Sequence, residues 1–150
     1  MRTFDRLADL ASFEGREIGA SGWVSVAQSR IDLFAQATGD AQWIHVDAAR
    51  AAAGPFGATV AHGFLTLSLL SELSAAAFRI ADVRMGLNYG LNRVRFPAPV
   101  RVGSRIRSHT TVMGLERLDD GVQFSYLIRV EIEGSEKPAC VAEFLARVYP

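Results

Sequence analysis

Asp40 and His45 stand five positions apart, in a short segment between two stretches of helical pattern. A carboxylate and an imidazole that converge on one point can hold a water molecule and move protons near neutral pH. On a continuous helix the two side chains would face different sides, because five residues fall off the three- and four-residue repeat. Gly39 and the aromatic Trp43 favour a turn instead, in which both groups could reach the same water. Taken by its spacing alone, such a pair in a loop is more commonly a surface hydrogen bond than a reaction centre.

The remaining reactive side chains are few. Cys140 is the single cysteine and lies in a mostly apolar run, so it is expected as a buried small hydrophobe. The three histidines, His45, His62 and His109, are widely spaced and show no ligand motif, which argues against a metal site. His109 falls in a strand with no carboxylate near it in sequence, and a surface role is expected. No glycine-rich phosphate loop follows a strand.

The elements that must position Asp40 and His45 can be read from hydrophobic period. Thr3 to Leu10 is expected as a short helix with Thr3 as N-cap, and Glu17 to Val26 as a first strand. Ser29 to Gly39 repeats apolar residues at helical spacing, with Ser29 a candidate N-cap and Gly39 suited to the left-handed stop. Asp47 to Ala53 forms a second short helix capped by Asp47, and Gly54, Pro55 and Gly57 break it. The longest apolar helical run follows, from Gly63 to Phe78. It is apolar on most sides, the signature of a buried helix. Beyond it the period changes to two: Met85 to Phe96, Ser104 to Leu118, Val122 to Ile132 and Ala139 to Val148 read as long strands. One apolar helix with one antiparallel sheet to bury it predicts an α+β domain over residues 1–150. Such a sheet has exposed edges, which a homodimer would pair or cover.

Composition narrows the function further. Sixteen Lys and Arg balance sixteen Asp and Glu, with no basic block, so nucleic acid is not expected as a partner. No apolar segment reaches the ~20 residues of a membrane span. Asp5, Asp9 and Glu14 make the N-terminal stretch unlike a secretory signal, and the lone cysteine suits a reducing cytoplasm.

The residues around the pair carry a resemblance. The stretch from Ala37 to His45, with Gly39, Asp40 and His45 in order, is followed by Ala61-His62-Gly63-Phe64. Together they resemble the MaoC-like dehydratases and (R)-specific enoyl-CoA hydratases. The family motif usually carries Asn and Pro where this chain has Gln42 and Trp43. The GDxQWIH form, and the stretch from Asn88 to Val100 followed by Gly103, are similar to the branch that includes nodulation protein N-like members.

That resemblance implies a hot-dog fold, an antiparallel sheet wrapped around one long helix, with residues 28 to about 60 as a helical overhang carrying the pair. It also implies reversible hydration of trans-2-enoyl thioesters to (R)-3-hydroxyacyl thioesters, with coenzyme A as part of the substrate and no separate cofactor. Asp40 and His45 would share the proton transfers, and the Gly63 N–H at the start of the buried helix would polarise the thioester carbonyl. Ser71 would orient Asp40, while Gln42 and His62 would support the loop, His62 by shaping the turn before the helix. Trp43 and Phe56 would bound the substrate, and Arg93 and Arg95 could meet the phosphates of coenzyme A. Thioester hydrolysis and a non-catalytic acyl-binding role are the alternatives.

Overall fold

The computed structural model describes residues 1–150. A short strand β1 (Arg2–Phe4) and a 3-10 helix (Leu7–Phe13) precede β2 (Glu17–Ala20) and β3 (Val24–Ser25). Helices α1 (Gln28–Thr38), α2 (Trp43–Val46) and α3 (Ala48–Ala52) form the overhang. The apolar run then gives α4 (Gly63–Ser68) and α5 (Leu70–Ala77), and β4 (Phe78–Ile80) leads into β5 (Met85–Arg95), β6 (Arg105–Arg117), β7 (Val122–Ile132) and β8 (Cys140–Tyr149).

The main sheet runs β2-β6-β7-β8-β5, with β3 also paired to β6, and all its pairings are antiparallel. Its concave face closes on the buried helix. From the helix, Leu65, Leu69, Leu70 and Leu73 meet Ile106, Val112, Phe124, Ile128, Val130 and Ala142 of the sheet in one apolar core. This is the hot-dog architecture, and the four long strands fall within a residue or so of their expected bounds. The alternation in β7 holds: Phe124, Tyr126 and Ile128 are buried, and Arg129 points outward. Cys140 is buried at the start of β8, and burial pushes its thiol up to about 11, away from the reactive thiolate.

Four local expectations are corrected. Residues Arg2–Phe4 are a strand rather than helix, because they find a parallel partner in β4, and Arg6, not Thr3, caps the following 3-10 turn. The first strand is split at Ser21–Trp23, where Ser21 accepts a side-chain bond from the Ser108 N–H. Ala27, not Ser29, is the N-cap of α1, whose first turn Gln28 opens. The buried helix is interrupted at Leu69, although Leu69 N–H→Leu65 and Leu73 N–H→Leu69 bonds carry the chain through the break. It also ends at Ala77, since Phe78 is already extended and pairs with β1. Gly39 and Asp47 cap as expected: Gly39 is left-handed at φ 78°, and the Asp47 carboxylate accepts from the Arg50 N–H.

The helix and sheet meet closely at one glycine. A side chain on Gly19 would stand 2.8 Å from the Ala77 carbonyl oxygen, so β2 can cross the end of α5 only without a Cβ there. On the outer face of the sheet, His109 takes the surface position expected of it, but it does not stand alone there. It lies between Glu17 at 3.3 Å and Glu131 at 3.0 Å, carboxylates distant in sequence that strand pairing brings alongside. Arg107, bonded to the same Glu131, also lies over the Trp23 ring. His109 is therefore part of a cross-strand charge ladder on the face away from the core.

Leu73 is fully buried where the helix presses on the sheet. Leu73→Ala should lower the unfolding free energy by about 2–5 kcal/mol, as measured by urea denaturation. A loss under about 1 kcal/mol would show that the helix is not the centre of the core.

Candidate active site

The overhang delivers Asp40 and His45 from two different local structures. Asp40 follows the left-handed Gly39 that ends α1, and His45 lies in the single turn of α2, whose capping residue is Gln42. The His45 N–H bonds back to the Gln42 carbonyl at 2.9 Å. Gln42 thus supports the turn through its backbone, while its side chain is exposed. The turn expected around Trp43 is a helical turn, and it brings the pair together. A carboxylate oxygen of Asp40, a ring nitrogen of His45 and a ring nitrogen of His62 all lie within 4.8 Å of one another. Asp40 is exposed, and the two histidines are buried.

Both imidazoles have a fixed tautomer. His45 Nδ1 lies 2.6 Å from the Val60 carbonyl and His62 Nε2 lies 2.9 Å from the Asp40 carbonyl. A carbonyl oxygen only accepts, so each of these nitrogens carries the hydrogen. The neutral His45 ring therefore holds its lone pair on Nε2, the form of a base or of an acceptor for water. The rings are stacked, with centroids 3.7 Å apart and planes 24° from parallel. The histidines that looked widely spaced in sequence are thus neighbours in space, with the Asp40 carboxylate beside them.

His45 opens onto a cavity of about 330 Å³ shared with Phe56, Gly63, Thr66 and Phe96. Phe56, expected near the substrate, is one of the residues that line this cavity. Gly63 begins α4, and no group in the chain accepts its N–H. Its missing side chain has a second consequence: the Phe96 ring occupies the space, 2.9 Å from where a Cβ would stand. Two residues absent from the sequence reading belong to the site. Thr66 lines it one turn into the helix. Gln28 ties it from behind: its amide donates to the His45 carbonyl at 2.8 Å and to Asp32 at 2.8 Å, and it accepts from Thr59 Oγ1 at 2.5 Å. Nothing in the local sequence marks Gln28 as part of the site, because the partners that tie it there, His45 and Thr59, lie 17 and 31 residues away.

Other expected site residues lie elsewhere. Ser71 does not bond Asp40. Its hydroxyl accepts from Asn88 at 3.3 Å and lines a separate apolar cavity of about 370 Å³. The eight residues after Gly63 carry it about 12 Å along the helix, beyond the reach of the pair. Trp43 does not line the His45 cavity. Its ring is held between the Arg50 guanidinium, 4.4 Å from the centroid, and Gly54, which allows it to approach closely, so it braces α3 instead. Arg93 and Arg95 are exposed on β5 and line their own shallow cleft with Val141 and Glu143.

Comparison with known proteins agrees with this geometry. The family described as "MaoC like domain" matches residues 9–131. The chain is 55% identical over 148 residues to 3-hydroxyacyl-thioester dehydratase Z of Mycobacterium tuberculosis, covering 98% of each chain. It is 48% identical over 142 residues to Nodulation protein N of Rhizobium leguminosarum bv. viciae, covering 93% of this chain and 88% of that one. Among solved structures, the unliganded R-hydratase PhaJ1 of Pseudomonas aeruginosa superposes with a TM-score of 0.72 at 27% identity, covering 89% of this chain and 82% of that one. A motif pair set against one buried helix, a family match over most of the length and relatives alike from end to end agree: the chain belongs to the MaoC-like family.

Proposed function

We propose that the chain is a lyase that adds water to trans-2-enoyl thioesters to give (R)-3-hydroxyacyl thioesters, and removes it in reverse. The observation that carries this reading is the meeting of the Asp40 carboxylate and the His45 ring nitrogen beside a cavity that also receives Gly63. The names of the dehydratase and R-hydratase relatives support it.

In the hydration direction the water rests between Asp40 and Nε2 of His45. Its oxygen bonds to the β-carbon as Nε2 takes its proton, and the double-bond electrons move toward the thioester carbonyl. The Gly63 N–H faces the charge that grows on that oxygen. The proton gained by His45 passes through the Asp40 carboxylate to the α-carbon on the same face, so the proton taken from water ends on the product and both groups return to their starting state. No oxidant, metal or further cofactor enters this balance, and coenzyme A takes part as the acyl carrier. Phe56 and Phe96 bound the acyl side, while Arg93 and Arg95, on the edge strand, would meet the carrier's phosphates.

The same reading includes a homodimer in a reducing cytoplasm. β5 pairs only with β8, so its other edge is free along eleven residues. It also exposes Met85, Leu87, Tyr89 and Leu91. A long apolar edge of this kind invites a second strand, and another copy of β5 would cover it. No helix is long and apolar enough to cross a membrane.

Asp40→Asn and His45→Gln should each keep the fold by circular dichroism and cut crotonyl-CoA hydration by roughly 10²- to 10⁴-fold. Unchanged turnover in either variant would refute the pair. Rapid release of free thiol from saturated acyl-CoA would indicate thioester hydrolysis instead. Light scattering should give twice the mass of the chain, and a single-chain mass would remove the dimer.

A further inference from the structure

Asp40 and His45 are two of three titratable groups whose polar atoms lie within 4.8 Å of one another, His45 being the one that opens onto the cavity. The third, His62, is only 3% exposed, and its contacts reach every part of the machinery proposed above. Its Nε2–H donates to the carbonyl of Asp40, and its ring lies against that of His45. The Phe34 ring of α1 packs near it, with centroids 5.0 Å apart. Its own carbonyl accepts from the Thr66 N–H at 3.1 Å, which orients the peptide unit that ends in the Gly63 N–H. The buried imidazole is thus joined to the backbone of the carboxylate and to the face of His45, and the main chain of the same residue carries the peptide of the carbonyl donor.

A loop-shaping role alone explains only part of this. A histidine needed to shape the turn before the helix has no reason to reach back 22 residues to the Asp40 carbonyl. Its other nitrogen, Nδ1, is buried with no hydrogen-bond partner. A protonated Nδ1 would be a buried donor without an acceptor, and a charged ring would set a second cation 3.7 Å from His45 once that residue takes a proton. The contacts therefore favour a neutral ring, whose π-face can lie against an imidazolium without repelling it.

We propose that His62 is a positioning residue for the hydration reaction: as a neutral, stacked imidazole it holds Asp40 and His45 in register with the Gly63 N–H. The bond to Asp40 ties the exposed carboxylate's segment to the start of the buried helix, whereas its other bonds are local: the Asp40 N–H lies 3.4 Å from Thr38 Oγ1 and the Ala41 N–H donates to Gly39 at 3.1 Å. Stacking fixes the rotation of the His45 ring about the Val60 bond. This proposal rests on the hydratase reading of the site.

The test compares His62→Gln with His62→Leu in crotonyl-CoA hydration. The Gln amide nitrogen can replace the donor to Asp40 but not the ring, whereas Leu fills space and donates nothing. With both variants folded by circular dichroism, His62→Leu should lose roughly 10- to 100-fold in kcat, the scale of an ångström-level misplacement, with KM changed less than about threefold. His62→Gln should recover a good part of that loss. Wild-type kcat in His62→Leu would overturn the proposal, as would equal losses in the two variants or a defect confined to KM. Asp40→Asn in the same assay separates the two levels. If it is inactive while His62→Leu is fully active, only the positioning role falls; if it is fully active, the catalytic reading falls and the positioning role falls with it.

Discussion

The site depends on Val60, which is bonded to α2 through both of its backbone groups. Its N–H donates to the Ile44 carbonyl at 3.0 Å and its carbonyl accepts from His45 Nδ1. One residue later, Ala61 N–H donates to Val100, and Val102 N–H returns to Thr59. Residues 59–61 therefore act as a short strand between the overhang and the body. Buried backbone groups must find partners, and here the partner on one side is the histidine itself. Satisfying the Val60 carbonyl and fixing the His45 tautomer are a single event.

This arrangement gives the helix and sheet a defined part in the chemistry. The sheet holds the helix, and the helix start places Gly63 and Thr66 at the edge of the cavity. Gln28 holds α1 to α2 and to Thr59, so that the overhang moves with the strand rather than independently of it. Phe96 covers the space a Gly63 side chain would need, which links the stretch after β5 to the helix start. Rigid elements carry the groups, and short polar ties between them set the distances.

Much of the fold was legible along the chain. The four long strands announced themselves through alternation over ten or more residues, as in Phe124, Tyr126 and Ile128, and such a pattern survives in any environment with one buried face. The buried helix was visible because nearly every side of it is apolar. The misreadings share one cause. Arg2–Phe4 is a strand only because Phe78–Ile80 lies beside it, and Ser21 departs from the strand pattern where it bonds Ser108. Short segments take the structure that their distant partners allow, and two to four residues carry too little pattern to reveal it.

For the site, the sequence determined which groups are present. It supplied Asp40 and His45 on a segment too short and too glycine-bounded to be one helix, and a glycine at the head of an apolar run. Tertiary structure decided what those groups can do. It joined His45 and His62, 17 residues apart, into a stack, set both tautomers through carbonyls 15 and 22 residues away, and moved Ser71 and Trp43 out of the cavity. The physical reason is that residue type is local, while proton position and side-chain direction are fixed by hydrogen-bond partners, and here most of those partners come from another element of the fold.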